Sequence, residues 1–397
     1  MLSWQQLREI WEPGTYGPSD MEVVKGPLRI SAPGVVLQNT RVTEDLILTA
    51  AIGDGSVDLV NVIVENSALV QGGGEETVLF EDADINHLVI NRVDGRVRVV
   101  LKGDTIVRKI TILEGASLCT AGLSGKGRVG ELSVETPAEV ELEGDFAALC
   151  VKTSEAKVTI LKGEVESLRT GKDAEGALID LKDGVVIESL EVEAPLELSG
   201  EGTIKVITVL SPGLCKISGN VEKISAGEAG VILEFAAGNF DTVVVDPTEG
   251  TVMIQLAEAV AVKYMEFNGA AEVTGGGSIE QVRINVSGVV IEQKPGKVEL
   301  AEGITAVVAG EDLDDEDSDK ETTGKGTAQQ KPAPAAPESP PPAPPPESPD
   351  PDEYWPPPEP DNGDENSQGD GSGDSGDNEP PPTNGDDDEG GEQDEGE

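Results

Sequence analysis

The sequence predicts an all-β fold: a right-handed parallel β-helix, which is a solenoid, with coils of about 19 residues. Three observations predict it. A phrase of one glycine and three apolar residues recurs along the body of the chain, the apolar residues there are mostly Val, Ile, Leu and Ala, and acidic residues and proline accumulate after Gly310. We divide the chain into an N-terminal cap segment (1–20), the parallel β-helix (21–310) and a disordered tail (311–397).

In the repeated phrase, apolar residues follow a glycine after two, five and seven places. Clear copies begin at Gly127, Gly144, Gly202, Gly219, Gly238 and Gly277, and a weaker one begins at Gly163. When all weaker copies are included, the last positions of successive copies are 17, 19 or 22 residues apart. A second alternating run lies between copies, for example from Glu139 to Glu143. Each period therefore holds at least two short strands with one apolar side, which only stacked neighbouring coils can bury.

The spacing of the phrase decides between repeat architectures. A βαβ unit needs a helix and more residues, and the Leu-rich phrase with Asn of a leucine-rich repeat is missing. Variable coil length favours the right-handed β-helix over the strict hexapeptide left-handed form. We expect about 14 coils between Val36 and Val308.

A short capping helix is predicted at the N-terminus, over residues 3–11. Ser3 and Gln6 form a capping-box pattern. An amphipathic stripe follows at helical spacing, made by Trp4, Leu7, Ile10 and Trp11. A membrane-binding or partner-binding helix is the weaker alternative, because the segment has one basic residue.

The charge of the chain limits its partners. A formal net charge of −49 and a pI near 4.1 repel nucleic acid and anionic lipid, so we expect neither nucleic-acid binding nor membrane insertion. No segment approaches the roughly 18 apolar residues of a membrane span. The N-terminus also lacks the basic and apolar regions of a signal peptide. Cationic partners, above all Ca²⁺, are more compatible with this negative charge.

The cysteines and glycine runs carry no recognisable chemistry. Cys119, Cys150 and Cys215 have no metal-ligand spacing and, being odd in number, predict no disulfide framework. We expect Cys215 to behave as a small buried hydrophobe. The glycines within 71–74 and 275–277 match no phosphate-binding loop and are interpreted as corners that need positive φ.

The best candidate site in the sequence is an acid cluster with the only histidine. It consists of Glu81, Asp82, Asp84 and His87, although a solvated coil corner explains it more simply. Coils this short leave few residues for the loop-walled groove of a β-helix enzyme. We therefore predict no enzyme, assign no catalytic or cofactor-binding residue, and leave metal ligands undetermined. Calcium is conceivable, but no calcium motif is present.

Rows of glutamates are expected on the outer strand faces. One row is Glu139, Glu141 and Glu143, and another is Glu188, Glu191, Glu193 and Glu197. Like charges stacked one strand apart destabilise a sheet, so Lys on adjacent coils, salt or Ca²⁺ would have to relieve them. A solvated face that blocks lateral aggregation is favoured over a specific cation array.

The predicted tail has two parts. Residues 331–360 are Pro-rich and favour an extended polyproline II spacer. Residues 361–397 are dominated by Asp, Glu, Gly, Ser and Asn, a composition that predicts disorder. Tyr354 and Trp355, between prolines, could form a short recognition epitope.

Several stretches resemble a β-helix module of surface proteins from Gram-positive, Firmicutes-type bacteria, which often accompanies S-layer homology domains. They are 14–18, 30–40, 58–64, 96–101, 273–279 and 288–295. The resemblance covers roughly residues 12–310. It implies a pectin-lyase-like right-handed β-helix on the cell surface, with no catalytic residues to transfer.

We therefore expect a non-catalytic structural or adhesive cell-surface rod with a spacer tail. One alternative is a pectin-lyase-like protein that binds or degrades polysaccharide, and the other is a cytoplasmic polymerising scaffold similar to the bactofilins. The expected partners are cell-wall polysaccharide, Ca²⁺ or other surface proteins. A monomeric rod, or weak self-association, is expected at an extracellular or surface location, with a cytoplasmic location as the alternative.

Overall fold

The structure is a computed structural model, and it describes residues 4–75 and 77–314. These residues form a mostly parallel β-solenoid of about 16 turns, with successive turns about 19 residues apart. The prediction of an all-β, right-handed parallel β-helix is confirmed. The solenoid has about two more turns than expected, because parallel pairing already begins before Val36, at Glu9 and Ile10.

Two series of strands run along the solenoid. We name the series that contains β8, β14 and β20 sheet A, and the series that contains β9, β15 and β21 sheet B; long strands such as β7 turn the corner and contribute to both. In the first half of the chain the strands are β1 (Glu9–Ile10), β2 (Gly14–Tyr16), β3 (Glu22–Val24), β4 (Leu28–Ile30), β5 (Val35–Val42), β6 (Leu46–Leu48), β7 (Val57–Val70), β8 (Val78–Glu81), β9 (Asp84–Ile90), β10 (Val97–Gly103), β11 (Ile106–Ile112), β12 (Ala116–Leu123), β13 (Arg128–Val134), β14 (Glu139–Glu143), β15 (Phe146–Val151), β16 (Lys157–Lys162) and β17 (Glu164–Thr170). In the second half they are β18 (Ala177–Leu181), β19 (Val186–Val192), β20 (Leu196–Gly200), β21 (Thr203–Val209), β22 (Gly213–Ala226), β23 (Val231–Val245), β24 (Val252–Leu256), β25 (Val260–Phe267), β26 (Ala271–Gly275), β27 (Ser278–Ile284), β28 (Val289–Ile291), β29 (Lys297–Leu300), β30 (Ala306–Val308) and β31 (Glu311–Leu313). Two 3₁₀ turns accompany them, at Trp4–Gln6 and Ala50–Ile52.

The repeated phrase places its three apolar residues in three inward columns. Between β15 and β17, Phe146 lies opposite Val165, and Leu149 lies opposite Leu168. All four side chains are at most 1% exposed. The parallel register omits one residue between the first and second column, so sheet B bends there and the coil can close. Apolar side chains stacked at the strand spacing of about 4.8 Å thus form one continuous core.

Glycine is required where one coil passes close over the next. Gly238 has a φ of 115°, and a Cβ placed on it would lie 1.9 Å from the backbone oxygen of Gly219. In the two glycine runs, positive φ occurs at Gly73 and Gly275 only. Gly74 is needed for a different reason: its Cβ would lie 2.5 Å from a backbone oxygen of the preceding coil. The prediction that these glycines need positive φ is therefore confirmed for one glycine of each run.

The N-terminal cap is much shorter than predicted. Instead of a helix over residues 3–11, there is one 3₁₀ turn, and β1 and β2 already belong to the first coil, inside the expected cap segment. Trp4 and Leu7 pack against the core and Ile10 is buried, whereas Trp11 is 67% exposed. Ile10 is the last residue of β1, and Trp11 follows it outside the strand. Ser3 lies outside the described residues.

At the C-terminal end, β31 folds back on β30 and forms an antiparallel pair. The turn is made by Ala309 and Gly310, both with positive φ, as in the tight hairpins that match strand twist. The solenoid thus extends to Leu313, three residues beyond the expected boundary at 310. The remaining residues of the predicted tail, 315–397, with the Pro-rich spacer, the acidic end, Tyr354 and Trp355, lie outside the described residues. In the part of the chain that the structure describes, no helix is long and apolar enough to cross a membrane.

Candidate ligand groove

The acid cluster predicted around Asp82 does not converge on one point. Asp84 forms an ion pair with Arg108 of the next coil, with 2.5 Å between Oδ1 and Nη1. This hydrogen-bonded carboxylate raises the pKa of the Arg108 guanidinium. Asp82 instead lies at the corner between β8 and β9, and its Oδ1 accepts a hydrogen bond of 2.8 Å from the backbone N–H of Asp104. Glu81 lies opposite Lys102. The carboxylates of Asp82 and Asp84 therefore link neighbouring coils.

The histidine of the cluster lies on the outer face of sheet B. His87 Nε2 lies 3.0 Å from the Thr111 hydroxyl, and in the strand register His87 lies opposite Lys109. Burial lowers the pKa of His87, and the positive charge of Lys109 lowers it further. The lowered pKa favours the uncharged form of His87, and its contact with one hydroxyl group indicates a structural role.

In both glutamate rows, basic residues on adjacent coils relieve the charge, which is the first of the three alternatives that the sequence left open. Glu139 and Glu143 lie opposite Lys157 and Lys162 of the next coil, and Glu141 forms an ion pair of 2.6 Å with Arg96. The coils have unequal lengths, and the resulting register places bases beside the acids, which stabilises a sheet.

The second row is divided between strands and is paired in the same manner. Glu188 and Glu191 lie on β19, whereas Glu197 lies on β20. The ion pairs of this row are Glu188 with Lys205, Glu193 with Arg169, and Glu197 with Lys216. Among the described residues, no group of three or more His, Cys, Asp or Glu side chains is placed to hold a metal ion.

The cysteines are free thiols on different columns. Cys215 is 1% exposed in an inward column, which confirms its prediction as a small buried hydrophobe. Cys119 and Cys150 lie on the outer faces of sheets A and B. Burial raises the pKa of all three thiols, so they are poor nucleophiles at neutral pH.

Sequence reasoning missed a shallow groove on the outer face of sheet A. It consists of two depressions, of about 390 and about 320 Å³. The first is lined by Glu75, Arg96, Val97, Arg98, Ser117, Glu141, Glu143 and Leu161. The second is lined by Glu139, Lys157, Val158, Thr159, Leu178, Ile179, Asp180, Glu197 and Ser199. Strand β14 contributes side chains to both. The sequence analysis considered only a groove walled by loops, whereas this groove is lined mainly by outward-facing residues of the strands.

A column of polar side chains runs through both depressions. Its members lie opposite one another in consecutive strands of sheet A, from β10 to β20, and therefore repeat at about 4.8 Å. They are Arg98, Ser117, Glu141, Thr159, Asp180 and Ser199. Hydroxyl groups alternate with charged groups, so hydrogen-bonding partners are offered at every coil.

Ion pairs hold the charged side chains of the groove in place. Asp180 accepts hydrogen bonds from Lys182 at 2.6 Å and from the Ser199 hydroxyl at 3.2 Å. Its carboxylate raises the pKa of Lys182, and Glu197 does the same for Lys216. The oxygen atoms that face the groove are thus oriented before any ligand arrives.

Each depression also exposes one leucine. Leu161 is 36% exposed in the first and Leu178 is 41% exposed in the second. Leu161 faces outward because the register between β14 and β16 shifts at this point, and it has no partner in the strand pairing. Such a bulge re-aims a side chain. An apolar contact beside fixed polar groups is a typical arrangement for small-molecule binding.

Comparison with known proteins adds no relative. No family model matches the chain, and no curated protein and no solved structure matches it. Chemically, the groove can offer hydrogen bonds to hydroxyl groups and an apolar contact to a ring face at intervals along the solenoid axis.

Proposed function

We propose that the protein is a non-catalytic adhesive rod, in which the solenoid is the scaffold and the groove binds an extended polysaccharide. The observation that carries this proposal is the polar column that repeats over six strands of sheet A and passes an exposed leucine in each depression. A polysaccharide is also a repeat of hydroxyl groups and apolar ring faces. Two depressions that share one column of coil-to-coil neighbours match a linear polymer better than a compact small molecule.

The positions of the titratable groups support binding without catalysis. General acid–base chemistry on a glycosidic bond needs two carboxyl groups facing one bond. In the groove, Asp180 is held by Lys182 and Glu141 by Arg96. Each of the two carboxylates thus already has a basic partner.

A cell-surface location belongs to the same proposal. The resemblance of residues 12–310 to Gram-positive surface modules supports it. The alternative, a cytoplasmic polymerising scaffold, requires open sheet edges at both ends. The antiparallel strand β31 covers the last strand of sheet A, which favours a monomeric rod.

Binding of oligosaccharides to the full-length chain tests the proposal. Leu178→Glu should weaken binding at least tenfold, because it introduces a charge and removes the apolar contact of the second depression. The matched control is Leu214→Glu, since Leu214 is 45% exposed on the same outer face but lies outside the groove. Circular dichroism verifies folding of both variants, and titration calorimetry measures affinity. Equal weakening by both variants, or no binding by the unmodified chain, would overturn the proposal.

A further inference from the structure

Arg92 is the one charged residue that is buried in the part of the chain that the structure describes, with 8% of its surface exposed. It lines neither depression of the groove. Burying a guanidinium is costly, and a buried ion pair by itself adds little stability, so stability alone does not explain this side chain. We propose that Arg92 is a positioning residue for the first depression, an inference that rests on the proposed function.

The Arg92 guanidinium joins three successive corners of the solenoid, each of which leads into a strand of sheet A. Its Nη1 donates to the backbone oxygen of Arg96 in the same corner, at 3.0 Å, and to that of Gly73 in the preceding corner. Its Nη2 forms an ion pair of 2.5 Å with Asp54, one corner earlier. The Asp54 side chain is 90% exposed, so the two backbone oxygens are the more sheltered partners. Arg92 thus fixes two chain segments by their backbone.

The corner that contains Gly73 is closely packed between its neighbours. Gly72, Gly73 and Gly74 are all buried. A Cβ on Gly72 would lie 2.3 Å from the backbone oxygen of Thr49, so only glycine allows this approach. Glu75 follows directly and lines the first depression. The hydrogen bond to the Gly73 oxygen therefore fixes the chain two residues before a lining side chain.

Arg96 carries the second restraint into the groove. Its side chain lines the first depression, and its Nη2 lies 2.6 Å from Glu141 Oε2 on β14. Strand β12, which contains Ser117, lies between β10 and β14, so this ion pair reaches across the polar column. The hydrogen bond from Arg92 closes the turn that contains Arg96 and sets the point from which its side chain reaches Glu141. Residues that support the lining side chains in this manner determine how precisely a site is formed.

Arg92→Lys separates position from charge. It keeps the positive charge but replaces the planar fork of donors with one ammonium group, which cannot serve all three acceptors with the same geometry. Oligomers of β-linked glucose, glucosamine and galacturonate are titrated into the full-length chain by calorimetry, and the tightest binder is used for the variants. Arg92→Lys should bind it at least about fivefold more weakly. Thr105→Val also removes a buried hydrogen bond but lies at the other end of β10, and its affinity should stay within about twofold.

Double variants test whether Arg92 acts through Arg96. Arg96→Ala removes the side chain that Arg92 positions, so adding Arg92→Lys to it should weaken binding by less than about twofold more. Leu178→Ala alters only the second depression, and in this variant Arg92→Lys should keep its full effect. A merely structural role would weaken binding equally in both backgrounds, and that result would refute the inference.

Hydrogen exchange measures the same restraint without a ligand. The backbone N–H of Arg98 donates to the oxygen of Gly74 at 3.1 Å and joins two of the three corners. Its exchange should be faster in Arg92→Lys and unchanged in Thr105→Val. Unchanged exchange or unchanged affinity in Arg92→Lys would each overturn the inference. If no oligomer binds the unmodified chain, the polysaccharide proposal fails, while the exchange measurement still decides whether Arg92 holds this side of the groove.

Discussion

Replacing Thr170 with valine should stabilise the protein. Thr170 occupies an inward column of the core, between Val151 of the preceding coil and Val192 of the following coil. It is fully buried, and its hydroxyl finds no hydrogen-bond partner among the described residues. Valine has nearly the same shape and carries no polar atom, so the column would become entirely apolar at this level.

The expected magnitude follows from the desolvation of that hydroxyl. A buried hydroxyl without a partner costs about 1–3 kcal/mol, so Thr170→Val should raise the free energy of unfolding by about 1–2 kcal/mol. The reverse exchange one coil earlier, Val151→Thr, should lower it by a similar amount. Urea unfolding followed by circular dichroism measures both. Because repeat arrays can unfold in parts, hydrogen exchange of the β17 amides serves as a local measure.

Thr105 provides the control, because it is equally buried but fully hydrogen-bonded. Its hydroxyl donates to the backbone oxygen of Lys102 at 2.6 Å and accepts from the backbone N–H of Ala83 at 3.1 Å. Thr105→Val should therefore destabilise the protein by about 1–3 kcal/mol, since it leaves a buried N–H unpaired. If Thr170→Val is neutral or destabilising, or if both threonine variants change stability in the same direction, the hydroxyl argument is refuted.

Three further expectations concern backbone, charge and the solenoid end. Gly238→Ala should cost about 2–4 kcal/mol in urea unfolding, because its Cβ would meet the coil below, whereas Gly184→Ala, also at positive φ but in open space, should cost about 1 kcal/mol; equal costs would contradict the packing argument. The hydrogen bond from Ser133, together with Lys152, lowers the pKa of Glu135 below its ordinary value of 4.5. The contribution of Glu135 to the free energy of unfolding is therefore present above pH 4.5 and is lost as the pH falls through the lowered pKa. Unfolding measured from pH 7 down to about pH 3 should show a shallower loss in Glu135→Gln, and an unchanged slope would argue against this pairing. Gly310→Val should disfavour the turn that closes β31 and produce concentration-dependent end-to-end association in sedimentation velocity; a variant that stays monomeric would show that β31 does not protect the edge.

Much of the fold follows from local chemistry and could be read from the sequence. The phrase with apolar residues two, five and seven places after glycine places Phe146, Leu149 and Val151 in the three inward columns, as predicted. Alternation along a strand is a local property, so which residues point inward does not depend on distant partners. The helix predicted for the N-terminal segment is absent because a distant partner decides its structure. Trp4, Leu7 and Ile10 have a helical spacing, but Ile10 pairs with Ile30 in a parallel sheet.

The outer surface depends on register, which the sequence leaves open. Whether Glu139 faces another acid or Lys157 depends on the number of residues that each intervening corner absorbs, and coils of unequal length change this number from one turn to the next. The groove has the same origin. Thr159 and Asp180 are 21 positions apart in the chain, and only hydrogen bonding between β16 and β18 makes them neighbours. The sequence by itself therefore determined the solenoid and its core, because side-chain alternation is local. The tertiary structure alone decided the ion pairs and the groove, because side-chain neighbours on the outside are set by coil-to-coil pairing.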